Sequence, residues 1–365
     1  MSQSNYKSSL LNLVMLLSFV LIAKVAFVIY VSYIVKFYAF HDVYYNQHLY
    51  VKGYHFLFLG FFSIGFFFLP FLHLLTRSID HRKILRLCLI LQGSGVIAFI
   101  LAPSLLTLLI SAAAMSLVNI VIILAVVQVS LISKRRHQLW ALALIHAFGF
   151  TFALEIYQSL YPVNTNIQYI LYGCVALILI NFILLNLIQF GIYKNSKSKN
   201  ILEYYFIGIF SIVKHSRTFL LHTVILVTMT CLYVYIEMLK LSSVYVNVTH
   251  MPNIAISLPI STIIIITLCY IDSNKLKLIF FAIFTVISIS LSLIIIILIP
   301  EHIFNHNSFR GVLIADRALS LSLLSIWIAY IIRNFLEVFK KASVFSFSAL
   351  YLICNVLIWL FGRLF

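Results

Sequence analysis

Residues 253–299 read NIAISLPISTIIIITLCYIDSNKLKLIFFAIFTVISISLSLIIIILI. Two apolar stretches, 253–271 and 276–299, flank a short polar turn, with Lys275 and Lys277 at its far edge. Each is close to the ~20 apolar residues that a helix needs to cross a bilayer. Runs such as Ile263 to Ile266 and 294–299 are apolar at consecutive positions, whereas strands of a transmembrane barrel alternate apolar with polar residues. The stretch predicts two membrane-spanning helices joined by a tight turn, and it excludes a barrel.

The same pattern recurs on both sides. Of 365 residues, 63% are hydrophobic and only 9% are charged, against about 25% charged in an ordinary soluble domain. Apolar stretches at 11–35, 56–75, 84–102, 105–131, 139–161, 167–191, 218–239, 311–332 and 342–362 complete a set of eleven spans. The expected fold is therefore an all-α polytopic membrane protein with about eleven transmembrane helices. The polar stretch YKNSKSKN at 193–200, followed by an apolar run at 201–213 too short to span, reads as a cytoplasmic linker with an interfacial helix. It divides the chain into a six-helix half (1–192), a linker (193–215) and a five-helix half (216–365).

The net charge of +16, from 25 basic and 9 acidic residues, would suggest nucleic acid in a soluble protein. Here topology explains it. With the N-terminus in the cytoplasm, the inner segments carry 18 of the basic residues and the outer segments 5, as the positive-inside rule requires. The expectation is an integral protein of a bacterial inner (plasma) membrane, with membrane lipids as partners and no nucleic acid. The five cysteines sit in or beside apolar stretches without paired spacing and read as core residues. His41, His48 and His55 recur every seven residues, but Asp42 is their one acidic companion; neither a metal site nor a cofactor is expected.

The loop at 75–85 reads LTRSIDHRKIL. It lies between spans 2 and 3, and its Asp80, Arg82 and Lys83 match the ending of the signature loop found there in major facilitator superfamily transporters. The stretch KHSRTFLL at 214–221 resembles that family's entry to helix 7, and 233–246 is similar to the helix 7 exit of its drug-efflux members. Six spans, a basic linker and a second hydrophobic half complete the resemblance; the twelfth span of the family has no counterpart. The resemblance implies two pseudo-repeated halves, a solute site near the bilayer midplane, and an inner-face gating loop formed by Asp80, Arg82 and Lys83. It also implies that helices 1, 4, 7 and 10 line the path, and Lys24, Asn119, Glu237, Asp316 and Arg317 fall on those four.

These residues also stand out by cost. A charge at the bilayer centre costs roughly 2.5–3.5 kcal/mol on insertion scales. Lys24 lies near the middle of span 1, too deep to snorkel easily; it is either satisfied by neighbouring carbonyls or acids, or it faces a wet path. Glu237 stands one turn after Tyr233 and beside Lys240, as an interfacial carboxylate or a path residue. Asp316 and Arg317 are adjacent and so point roughly 100° apart; one would face the path while the other pairs with a neighbouring helix. Glu155 and His146 lie nine residues apart on span 5 and hence on opposite faces, so at most one lines a central path; both are candidates for coupling. Asn119 and Ser116 make a small polar stripe that serves as interhelical glue or as a solute contact.

If those four helices line the path as the resemblance implies, a cation at mid-membrane with Arg317 nearby favours a solute with a carboxylate or phosphate, and Glu237, Asp316 or Glu155 could neutralise the unloaded site or carry a coupling proton. The expected function is secondary transport of a small, anionic solute by alternating access, without enzymatic activity. No Walker, HExxH or triad pattern is visible. Two other classes share the composition: a flippase or polymerase of lipid-linked saccharides, and a degenerate membrane protein that transports nothing.

Overall fold

The computed structural model describes residues 10–30, 79–148, 167–191, 254–271 and 274–298, together with positions 311, 312, 314–316, 318–323, 325, 326, 329 and 333. Among these no strand forms; the helices are α1 (Leu10–Tyr30), α2 (His81–Leu101), α3 (Leu105–Ser116), α4 (Val118–Ile132), α5 (Arg135–His146), α6 (Ile167–Leu187), α7 (Ile254–Tyr270) and α8 (Asn274–Leu298), and the described positions of 311–333 are also helical. Four stretches, Leu10–Tyr30, His81–Leu101, Leu106–Ile132 and Tyr169–Leu187, are long and apolar enough to cross a membrane. The chain is an integral membrane protein. Spans 2, 7 and 11 and the interfacial helix at 201–213 lie outside the described residues.

Contacts divide the chain into two compact units. One holds Met1–Ser133, Phe148–Lys197 and Ala342–Ala349; the other holds Lys134–Ala147, Ser198–Lys341 and Leu350–Phe365. The short helix α5 thus belongs to the second unit, where it packs against α7.

In the first unit, Pro103 ends α2, because the residue before a proline avoids helical geometry; Ala102 is extended in ψ (φ −138°, ψ 77°). Ser104 then restarts the chain as α3 with a capping box: its hydroxyl accepts from the Thr107 amide at 3.2 Å, and the Thr107 hydroxyl accepts from the Ser104 amide at 3.0 Å. Leu106–Ile132, nearly all of α3 together with α4, forms one rod of 27 residues interrupted at Leu117 (φ −62°, ψ −10°). At 1.5 Å per residue the rod is ~40 Å long, more than the ~30 Å hydrocarbon core, so it must tilt or bend. At the break, Ser116 donates to the Ala113 carbonyl (2.6 Å) and Asn119 donates to the Ser116 carbonyl (3.0 Å), supplying partners for a locally disturbed ladder. Every residue from Val118 to Val129 is buried, which makes α4 the centre of this unit. α2 packs on α3, α4 and α6. α6 is peripheral: Tyr169, Tyr172, Leu179 and Ile183 are exposed on its outer side.

The second unit is held by serines. Ser261 on α7 donates to the Ala318 carbonyl (3.1 Å), Ser322 donates to the Ala318 and Ser261 carbonyls (2.5 and 3.3 Å), and Ser288 on α8 meets Ser320 at 3.0 Å. Small hydroxyl residues let helices approach closely where lipid offers no hydrophobic drive to association.

Candidate functional site

Lys24 sits on the rear half of α1 with 6% of its surface exposed. Its neighbours on the same helix face, Leu17, Val20 and Val28, are buried and apolar. The partner of its ammonium is the Phe27 ring, 4.9 Å from the centroid; among the described residues no ion pair reaches it. A cation–π contact contributes about 0.5–2 kcal/mol, less than the cost of a charge held at this depth.

The seam between α1 and α6 lies on another face. Asn181 donates to the Phe19 carbonyl (3.0 Å) and Cys174 to the Ala26 carbonyl (3.3 Å). At the far end of α1, Tyr30 hydrogen-bonds Ser111 of α3. Lys24 is five residues beyond Phe19, about 140° round the helix, so it points away from this seam.

The other candidates are scattered over both units. Asn119 is buried on α4, with its amide used at the Ser116 carbonyl at the end of α3. Asp316 is fully buried in the second unit, one turn from Ser320 and its partner Ser288. His146 ends α5 and is 3% exposed. Glu155, Glu237 and Arg317 lie outside the described residues.

The signature-like loop leads into α2. Asp80 is exposed at the N-cap, where its carbonyl, and not its side chain, accepts from the Lys83 and Ile84 amides (2.9 and 3.1 Å). Arg82 donates to the Ile188 carbonyl at 2.5 Å and lies 5.3 Å over the Phe190 ring; Arg86 donates to Asn186 at 2.7 Å. A cation beside the last carbonyls of α6 complements the negative pole of that helix. Lys83 is exposed.

Two carboxamides missed by reading the sequence complete this end of the unit. Asn12 pairs with both backbone groups of Gln189, at 2.7 Å each. Gln128 accepts from the Gly191 amide (2.9 Å), donates to the Gly191 carbonyl (3.4 Å), and meets the buried His81 ring at 2.7 Å. A side-chain amide here pairs with a peptide as another peptide would, so 188–191 is bound just beyond the end of α6. Both amides sit at the ends of apolar spans, the one signal that could have marked them. Gln128→Leu is expected to cost about 1–3 kcal/mol by leaving buried partners unpaired, measured as a lowered unfolding midpoint of the detergent-purified protein. An unchanged midpoint would mean that the clamp is incidental.

In the second unit, His137 is buried, and its Nδ1 is 3.2 Å from both the Trp140 indole nitrogen and the Tyr270 hydroxyl. The indole N–H can only donate, so Nδ1 is an acceptor and the ring proton resides on Nε2. The Trp140 and Tyr270 rings lie 6.0 Å from the imidazole, which ties α5 to the end of α7.

No family model matches the chain, and no curated protein matches it. Solved structures do. A major facilitator superfamily transporter, FucP, in the outward conformation matches with a TM-score of 0.53 at 15% identity, over 98% of this chain and 99% of that one. A variant of the E. coli fucose:proton symporter FucP gives 0.52 at 15% identity, with the same coverage. The chain has the major facilitator fold over nearly its full length.

Proposed function

We propose that this chain is a secondary transporter, not an enzyme, moving a small solute that bears a carboxylate or phosphate across the membrane by alternating access. The observation that carries the reading is Lys24: a lysine buried on a helix long and apolar enough to span the membrane, whose contact among the described residues is a ring that does not offset the cost of its charge. Such a charge is kept where a ligand of opposite sign meets it. The fold likeness to a proton symporter supports the transport class and a proton as coupling ion.

In this reading Lys24 binds the anionic group. Asn119, Glu237 and Arg317 contribute to the path, and Asp316, fully buried one turn before Ser320, carries the proton or balances the unloaded site. Glu155 and His146 are the further coupling candidates. Asp80, Arg82 and Lys83 form the inner-face gating loop, and the basic bias of the inner segments supports a bacterial inner membrane with the N-terminus inside. The test is a comparison of solute pools in cells with and without the protein. A carboxylate or phosphate compound whose accumulation depends on the protein, and responds to a collapsed proton gradient, is the expected result. Identical pools under every growth condition would overturn the transport reading.

A further inference from the structure

The inner end of α2 carries three cations, Arg82, Lys83 and Arg86, in its first two turns, with no acidic residue in the first turn. The positive pole of the helix lies at the same end, and like charges four residues apart repel. Among the described residues the one carboxylate nearby is the exposed Asp80. What the cations touch is neutral: Arg82 has the Ile188 carbonyl and the Phe190 ring, and Arg86 has the Asn186 amide oxygen. Each guanidinium keeps a buried Nε with no hydrogen-bond partner. Among the described residues the cluster holds more positive charge than there are carboxylates beside it to balance.

On the membrane side of this cluster lies an apolar surface. On α2, Leu87, Ile90 and Leu91 are 51%, 54% and 44% exposed, and on α6 Ile183 and Leu187 are 64% and 59% exposed. The two helices pack together, so cationic heads and exposed aliphatic side chains follow one groove. A soluble anion would have no use for the aliphatic part, and a zwitterionic lipid would leave the charge unbalanced. We infer that the groove between α2 and α6 holds an anionic diacyl phospholipid. Its phosphodiester lies on Lys83 and Arg86 with Arg82 behind them, and its chains run along the exposed leucines and isoleucines. Basic groups at such a membrane edge attract anionic headgroups. The bound lipid touches the same segment that holds the end of α6, and so bears on the gating loop.

The experiment is native mass spectrometry of the detergent-purified protein titrated with dioleoyl phosphatidylglycerol, in parallel with dioleoyl phosphatidylcholine and inorganic phosphate. Phosphatidylglycerol is expected to bind selectively, and the double variant Lys83→Gln/Arg86→Gln to weaken it roughly thirtyfold, about fivefold per basic group. Lys83→Gln alone, at an exposed side chain, keeps the fold intact and is expected to lose roughly fivefold. Equal binding of phosphatidylcholine, competition by phosphate alone, or unchanged phosphatidylglycerol binding in both variants would each overturn the assignment.

Discussion

Lys24→Met is expected to lower solute movement by roughly a hundredfold or more while leaving the folded protein as stable as before or more so. The two halves of that result come from one balance. Truncating one partner of a buried charge pair costs about 2–5 kcal/mol of binding, so a solute whose anionic group meets Lys24 loses most of its affinity. The free protein, by contrast, carries a cation whose contact among the described residues, the Phe27 ring, contributes less than the charge costs at this depth. Methionine keeps the length and apolar volume against Leu17, Val20 and Val28, and replacing a buried charge by a packed apolar group is neutral or stabilising. Lys24→Arg keeps the charge but not the compact ammonium, and should retain part of the activity. The measurement is counterflow in proteoliposomes, with the solute found by pool comparison, beside thermal unfolding of the same preparations. A methionine variant that transports normally would remove Lys24 from the path; one that fails to fold would make it a structural lysine.

Much of the fold was legible because membrane helices advertise themselves by length and apolarity. The stretches expected at 84–102, 105–131, 167–191, 253–271 and 276–299 coincide with α2, α3 with α4, α6, α7 and α8. The differences have causes. α2 begins at His81, before its apolar run, because His81 and Arg82 find partners in Gln128 and the Ile188 carbonyl. The interruption at Leu117 has no proline or glycine beside it; its one local signal is the polar pair Ser116 and Asn119, which reads equally well as interhelical glue or a solute contact. Lys24 was legible as a charge in an apolar run. Asn12 and Gln128 were not, since neutral amides attract little notice and their backbone partners lie 177 and 63 residues away. The Asp80 side chain makes no capping bond at the start of α2; among the described residues the contacts from this loop and the first turns of α2 to the end of α6 come from Arg82 and Arg86.

Gly95→Leu is expected to abolish the folded first unit, while Gly173→Leu leaves it intact. Both glycines lie inside helices predicted to span the membrane, and composition does not distinguish them. Geometry does. A Cβ on Gly95 would stand 2.9 Å from the Ala114 Cβ and 3.2 Å from the Ser111 Cα, and neither a methyl on a packed helix nor a backbone carbon can swing aside. α2 and α3 would have to part, and overpacking of a close interface costs about 1–3 kcal/mol or more. The displacement would not stop there, because Ser111 is also the residue that Tyr30 of α1 holds. Moving α3 therefore strains the helix that carries Lys24. A Cβ on Gly173 meets nothing within 4 Å, and leucine gains about 0.5–1 kcal/mol over glycine in a helix interior. The two substitutions add the same side chain and should act with opposite sign, read as the unfolding midpoint and as the monodisperse fraction on size exclusion. Gly95→Ala belongs between them: it keeps the fold at a reduced midpoint, and any loss of transport it causes must pass through the α3 to α1 contact. Equal midpoints for Gly95→Leu and Gly173→Leu would mean that α2 and α3 do not approach as closely as the structure has them.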